Sequence, residues 1–310
     1  KSIMSIGILV GKIAALFIVM FLGFVLVKTG ICRSDDSRIL SRLSVYIVVP
    51  CSILSAFQVS CSPSILNGLL LAVAAAVLIH LILIVLFYFI GPLLHLNGVE
   101  KASIIYSNAG NLVIPLVSSI LGPDWVIYSS AYVSVQLFLL WSHGKMMICE
   151  EKKPDFKKII TNTNMIAILF GIFLFLAQIS LPDPVDSAVH SLGSMIGPLA
   201  MLISGMLIAG TTPQEILAFP HIGLVTILRL IGVPLLTILL LKFSGLASFA
   251  ENGSQILLVT LLATITPSAS TITQMAQVYG KDARYAGAIN VITTLLCMIT
   301  MPIMVYLYQL

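Results

Sequence analysis

Residues 106–115 read Tyr-Ser-Asn-Ala-Gly-Asn-Leu-Val-Ile-Pro, and residues 260–274 read Thr-Leu-Leu-Ala-Thr-Ile-Thr-Pro-Ser-Ala-Ser-Thr-Ile-Thr-Gln. Each stretch places amides, hydroxyls and a proline inside an apolar segment of about 20 residues, the length of a membrane span. Proline removes a backbone donor and clashes with the carbonyl four residues earlier, so a helix opens there. Opened backbone is tolerated at membrane depth only where protein or a polar cavity surrounds it. The two stretches therefore predict two helices broken at polar centres, near Pro115 and Pro267.

The whole chain is too apolar for a water-soluble protein. Of its 310 residues, 59% are hydrophobic and 9% are charged, and the mean hydropathy is +1.10. Soluble domains carry about 25% charged residues. Apolar stretches bounded by turn or charge signals predict an all-α membrane protein with ten transmembrane segments. These segments cover residues 3–27, 38–58, 64–91, 101–121, 124–147, 160–180, 187–209, 216–242, 254–278 and 283–308.

The basic residues are divided unequally between the two sides of this arrangement. Only Lys1 and Lys242 lie on the side of the termini. The opposite side holds Lys28, Arg33, Arg38, Arg42, Lys101, Lys145, Lys152, Lys153, Lys157, Lys158, Lys281 and Arg284. Basic residues concentrate in cytoplasmic loops. We therefore expect both termini outside, the loop 149–159 in the cytoplasm, and a location in the cell's inner or plasma membrane.

The loop 149–159 divides the chain into two halves, residues 1–148 and 160–310, with five predicted segments each. An odd number of segments forces the two halves to insert in opposite orientations. Pro50 and Pro198 are 148 residues apart (198 − 50), and Pro115 and Pro267 are 152 apart (267 − 115). These similar spacings predict an inverted repeat, which is typical of secondary transporters.

The polar groups of the broken helices form the predicted solute site. The second half of a broken helix begins with free N–H groups and a positive dipole end, which suit an anion. Every Asp and Glu lies in or beside a loop, so a carboxylate-based cation exchanger is not favoured, whereas Arg229 lies deep in segment 8. The substrate-binding candidates are Asn108, Asn111, Pro115, Gln136, Arg229, Thr264, Thr266, Pro267 and Ser268.

Several roles remain open at this point. Arg229 either faces the transport pathway or pairs with backbone carbonyls or lipid headgroups, and Lys12 in segment 1 either snorkels or contacts the solute. His80, Ser107 and Thr260 are candidates for proton or sodium coupling, because histidine titrates near neutral pH and hydroxyl and carbonyl oxygens can hold sodium. We expect no cofactor and no metal site.

The sequence also resembles the auxin efflux carrier family of the bile-acid, arsenite and riboflavin transporter superfamily, over essentially its whole length. The resemblance rests on residues 40–50 (Leu-Ser-Arg-Leu-Ser-Val-Tyr-Ile-Val-Val-Pro), 107–116 (Ser-Asn-Ala-Gly-Asn-Leu-Val-Ile-Pro-Leu), 197–206 (Gly-Pro-Leu-Ala-Met-Leu-Ile-Ser-Gly-Met) and 266–270 (Thr-Pro-Ser-Ala-Ser). It implies ten helices with segments 4 and 9 crossed. Segments 1, 2, 6 and 7 would form a scaffold, often dimeric, and segments 3–5 and 8–10 a moving transport domain.

The resemblance also implies the class of solute. Solutes of the family are mostly small organic anions, auxin in plants and dicarboxylates such as malate or malonate in bacterial relatives. The short central loop and a segment 4 without the Asn-Pro-Asn pattern of the plant auxin carriers favour a bacterial-type organic anion permease. We expect alternating access, of the elevator type, at the crossing of segments 4 and 9.

Other classes of function receive less support. A membrane sensor that kept a carrier fold and a sodium-coupled symporter of another small solute remain alternatives. An enzyme is not expected, because His80 and His143 stand in no HExxH pattern. The basic residues follow the membrane side, so no nucleic-acid partner is expected. The expected partners are a small organic anion, membrane lipid and a second copy of the chain.

Overall fold

A computed structural model describes residues 6–58, 62–150, 157, 160–161, 163–210, 212, 214 and 219–310. Within these residues the regular elements are helices, apart from one two-residue bridge. The first seven are α1 (Ile6–Lys28), α2 (Ser34–Ala56), α3 (Pro63–Leu93), α4 (Gly98–Ile105), α5 (Ala109–Ile120), α6 (Val126–Leu139) and α7 (Lys145–Cys149). They are followed by α8 (Thr163–Ala177), α9 (Asp183–Ala209), α10 (Ile222–Phe243), α11 (Gly253–Thr264), α12 (Ser270–Val278) and α13 (Ala283–Gln309).

Five of the described helices are long and apolar enough to cross a membrane, judged by length and composition: α2, α3, α9, α10 and α13. The sequence predicts ten segments, and each of them contains one helix or a pair of helices. Segments 4 and 9 fall outside the length criterion because each is divided in two. A helix of 12 residues, such as α5 or α11, spans about 18 Å, less than the roughly 30 Å of a bilayer core.

The surface of α3 fits a lipid environment. Its exposed side chains are large and apolar, with Leu70 62%, Leu81 50% and Phe89 66% exposed. The opposite face carries small residues that are fully buried, including Ala72 and Ala75. Because lipid tails are as apolar as leucine, small residues at helix contacts are typical of membrane bundles. Together with the apolar composition, this surface is that of a multi-pass membrane protein.

Two helices contain a π-helical turn just before a proline. In α2 the turn Ser44–Val48 precedes Pro50, and in α10 the turn Leu228–Gly232 precedes Pro234. Proline cannot donate to the carbonyl four residues earlier, so a turn with one extra residue relieves the clash while the helix continues. The turn in α10 contains Arg229, and it therefore affects where that side chain points.

Helices α1 and α2 each approach α9 closely at glycines, and Gly171 of α8 packs against the ring of Phe57, just after α2. A Cβ on Gly205 of α9 would overlap the carbonyl oxygen of Met20 in α1, and one on Gly23 would overlap the backbone of Leu202. Helices α2 and α9 approach in the same way, at Gly193. Close approach of this kind is the membrane equivalent of small-residue packing motifs. These four helices correspond to predicted segments 1, 2, 6 and 7.

Candidate functional site

The site is built where two helices are interrupted. Helix α4 ends at Ile105, the chain runs extended through Tyr106, and α5 begins at Ala109. Helix α11 ends at Thr264, and α12 begins at Ser270. Between them, Ser107 and Ser268 form an isolated antiparallel bridge. The two interruptions therefore meet and cross, and we refer to this point as the crossing.

The two interrupted segments satisfy each other's backbone groups at the crossing. The N–H of Asn108 donates to the carbonyl of Pro267 at 2.8 Å, and the N–H of Ala269 donates to the carbonyl of Tyr106 at 3.1 Å. A buried backbone group without a partner is costly, and in the bilayer core water cannot replace it. Pairing of one break with the other makes both tolerable.

The prediction that segment 4 opens at Pro115 is wrong. Pro115 lies within α5, and the chain leaves the helix at Tyr106–Asn108, several residues earlier. The hydrogen bonds that hold this break come from residues distant in sequence, Gln136 and the backbone of Pro267 and Ala269, and local proline chemistry does not reveal them. Pro267, in contrast, lies in the break itself. The side chains of Asn111 and Pro115 are outside the described part of the structure.

Gln136 of α6 holds Ser107 in place. Its Nε2 donates to the carbonyl of Ser107 at 2.8 Å, and its Oε1 accepts from the N–H at 3.2 Å and from the hydroxyl at 2.7 Å. Gln136 is 4% exposed and Ser107 is 1% exposed. One amide therefore satisfies every polar group of the residue at the centre of the first break.

Two residues of α13 satisfy the backbone groups of Ser268, whose buried hydroxyl has no partner among the described residues, and the sequence analysis missed both. Asn290 donates from Nδ2 to the carbonyl of Ser268 at 2.6 Å, and the hydroxyl of Thr293 accepts from its N–H at 3.2 Å. Asn290 follows Gln136 by 154 residues (290 − 136), close to the spacing of the proline pairs. That spacing is the signal that could have identified Asn290, whereas Thr293 has no comparable signal.

Arg229 is fully buried and binds the ends of both first half-helices. Its Nη1 donates to the carbonyl of Ile104 at 2.8 Å, its Nε to that of Thr266 at 3.1 Å, and its Nη2 to that of Thr266 at 2.7 Å. Nη2 also donates to the carbonyl of Thr264. In this conformation the guanidinium therefore pairs with backbone carbonyls, one of the two interpretations that the sequence left open.

The hydroxyl groups near the crossing bind mainly within their own helices. Thr264 donates to the carbonyl of Thr260 at 2.8 Å and lies 3.3 Å from the hydroxyl of Tyr132. Thr260 reaches back to Ile256 and Thr266 to Ala263, at 3.3 Å and 2.9 Å. Thr260 therefore lies one turn before the crossing, whereas Thr264 and Thr266 contribute their carbonyls to it.

His80 of α3 is fully buried beside the crossing. Its Nδ1 lies 2.8 Å from the carbonyl of Ala76, and its ring lies 5.1 Å from that of Tyr132 and 6.0 Å from that of Tyr106. A carbonyl can only accept, so Nδ1 carries the hydrogen and Nε2 is left as the basic nitrogen. His143 instead lies 2.9 Å from the hydroxyl of Tyr106. The side chains of Lys12 and Gln274 are outside the described residues.

The starts of α5 and α12 lie on the other side of the crossing. Asn108 is the N-cap of α5, and its Oδ1 accepts from the hydroxyl of Ser270, the first residue of α12, at 3.4 Å. A Cβ placed on Gly110 would meet no heavy atom within 4 Å, so the first turn of α5 borders open space. The N–H groups of a first helical turn have no partner within the helix. An anion in that space would meet the positive end of the α5 dipole.

The crossing is therefore electrostatically polarised. The carbonyl ends of α4 and α11 bind a guanidinium, while the start of α5 borders open space beside the amide of Asn108 and the hydroxyl of Ser270, a region we refer to as the cleft. Helix N-termini attract anions through their N–H groups and the helix dipole. The chemistry available in the cleft is hydrogen bonding to a small anion.

Comparison with known protein families agrees with this arrangement. The family profile described as membrane transport protein matches twice, at residues 8–155 and 152–305, so that one match falls on each half of the chain. No curated protein matches the chain. The two matches together cover nearly all of the sequence. The chain therefore belongs to the membrane transport protein family, the family of the auxin efflux carriers.

Proposed function

We propose that the protein is a secondary transporter of a small organic anion, a mono- or dicarboxylate, that binds in the cleft at the starts of α5 and α12. Membership of a transporter family supports transport in general. The observation that indicates a negatively charged solute is the polarity of the crossing. Arg229 already satisfies the carbonyl ends, and the N–H end of α5 borders open space.

The proposal includes a mechanism of alternating access. In it the chain has ten spans, as the apolar segments predict, in two inverted halves, which the double family match supports. The charge distribution favours termini outside and the loop 149–159 in the cytoplasm. Helices α1, α2, α8 and α9 would form the scaffold and the dimer contact. The remaining helices, which carry the crossing, would move as an elevator and present the cleft to each side in turn.

A charge placed in the cleft tests the location of the site. In Ser270→Asp a carboxylate stands at the first residue of α12, where it repels a bound anion but suits the helix dipole. Repulsion at about 4 Å amounts to roughly 1–4 kcal/mol, depending on the local dielectric, which corresponds to a loss of affinity of about fivefold to a thousandfold. Ser254→Asp is the matched control, because Ser254 lies in the first turn of α11 and is exposed.

The assay is uptake of labelled malonate, malate and indole-3-acetate into vesicles that contain the purified protein. We expect Ser270→Asp to lose uptake while its melting temperature stays at or above that of the wild type, and Ser254→Asp to transport normally. Equal uptake by both variants would show that the solute does not bind in the cleft. A solute that raises the melting temperature of the wild type without any flux would instead indicate a sensor with a carrier fold.

A further inference from the structure

Three backbone carbonyls converge at the crossing on a single position. They belong to Ile104 in the last turn of α4, and to Thr264 and Thr266 at the end of α11. Transporters with broken helices commonly use such C-terminal and unwound carbonyls to coordinate a sodium ion. The arrangement therefore has the donor set of a cation site.

In this protein the position is filled from within the chain. The guanidinium of Arg229 donates to all three carbonyls and is fully buried. Its hydrogen-bond partners in the described part of the chain are all main-chain carbonyls, and no carboxylate stands among them. An unpaired charge in the membrane is expensive, so some other negative charge has to balance it.

The balancing charge comes from the two half-helices. The C-terminus of a helix carries about half a negative elementary charge, and the ends of α4 and α11 both face Arg229. Two such ends amount to about one negative charge, which matches one guanidinium. Arginine also stays protonated under physiological conditions, so it cannot release this charge as an ion would.

We infer that Arg229 is a built-in cation that occupies the position of a coupling sodium ion at the crossing, so that the carrier does not require sodium. The statement about transport rests on the proposed function, whereas the occupancy of the cation position does not. The π-helical turn that contains Arg229, before Pro234, lets α10 deliver the side chain to both helix ends.

The first experiment uses the wild type alone. The melting temperature of the purified protein is measured in sodium, potassium and choline chloride at equal concentration. We expect the same value in all three salts, because the cation position is filled. Stabilisation by sodium over potassium and choline would show an open sodium site and would overturn the inference.

The second experiment empties the position. In Arg229→Ala the three carbonyls lose their partner, and a small cation can replace it. Millimolar guanidinium chloride, or sodium chloride, should raise the melting temperature of this variant by roughly 2–4 °C, whereas choline chloride should not. The control is Arg38→Ala, which removes an exposed arginine that pairs with Asp35 at 3.3 Å. Its melting temperature should respond equally to all three salts.

A variant that keeps the charge covers the case in which Arg229→Ala does not fold. Arg229→Lys retains a cation at the crossing with fewer donors, so we expect a lower melting temperature that still does not depend on sodium. Sodium dependence in Arg229→Lys, or no response of Arg229→Ala to guanidinium and sodium, contradicts the inference. These measurements need no solute, so a failure to detect anion transport would count against the proposed function alone.

Discussion

Replacing Gln136 with methionine removes three hydrogen bonds to one residue while the volume of the side chain changes little. The N–H and the carbonyl of Ser107, both satisfied by Gln136, then remain buried without partners. Each unsatisfied backbone group costs about 1–3 kcal/mol, so Gln136→Met should lower the free energy of unfolding by roughly 2–6 kcal/mol. That is a large share of the 5–15 kcal/mol by which a typical domain is stable.

The second break provides an internal comparison. Asn290→Leu removes only the donor to the carbonyl of Ser268, because the N–H of Ser268 remains bound to Thr293. One unsatisfied group costs about 1–3 kcal/mol, about half of the expected loss in Gln136→Met. Combining Asn290→Leu with Thr293→Val should bring the loss close to that of Gln136→Met.

Thermal unfolding of the purified variants in detergent measures these differences. The order of melting temperatures should be Asn290→Leu above Gln136→Met, with the double variant at Asn290 and Thr293 near the latter. Gln255→Met is the control, since Gln255 is exposed on α11 and should melt like the wild type. If Gln136→Met melts at or above Asn290→Leu, then the three hydrogen bonds of Gln136 do not hold the crossing as described.

Further predictions concern other contacts. Thr266→Val should keep uptake and melting temperature near those of the wild type, because Arg229 binds the carbonyl of Thr266, and among the described residues the Thr266 hydroxyl bonds only to the carbonyl of Ala263. A loss of uptake above about fivefold would contradict this. Gly205→Leu should lower the free energy of unfolding by about 1–3 kcal/mol through overpacking against α1. Gly223→Ala, where a Cβ meets nothing within 4 Å, should leave the melting temperature unchanged or raise it slightly, because alanine favours a helix over glycine. Tyr285→Phe removes the 2.7 Å hydrogen bond to Glu100 and should lower the free energy of unfolding by about 1 kcal/mol; an unchanged melting temperature would argue against that bond.

The positions of the helices were largely predictable from the sequence because membrane-spanning segments have a strongly apolar composition. The apolar segments and their separators place the helices to within a few residues, as for segment 10, predicted at 283–308 and observed at Ala283–Gln309. The position of the first break was not predictable. It depends on Gln136 and on the backbone of Pro267 and Ala269, and a single sequence does not show which distant residues will donate there.

The members of the site were also only partly accessible from sequence. Polar residues in the two broken segments attract attention because lipid excludes them, and the structure brings Ser107, Asn108 and Ser268 together at the crossing. Asn290 was missed because its spacing from Gln136 was not compared with that of the proline pairs, and Thr293 because a single hydroxyl in an otherwise helical segment carries no pattern. The cluster of Glu100, His221 and Tyr285 was missed too, since its members come from three separate helix starts.

Arg229 has a consequence for the electrical driving force. In the proposed cycle its positive charge moves inward with the loaded cleft and outward with the empty one, so it contributes no net current over a complete turnover. In a cycle with no coupled ion, the charge displaced is then that of the solute alone. A membrane potential of 100 mV, negative inside, opposes the entry of a monovalent anion by about 2.3 kcal/mol. At equilibrium this corresponds to an outside concentration roughly fiftyfold above the inside concentration. This potential favours exit of the anion over its entry, so in vesicles a potassium diffusion potential that is negative inside should suppress uptake.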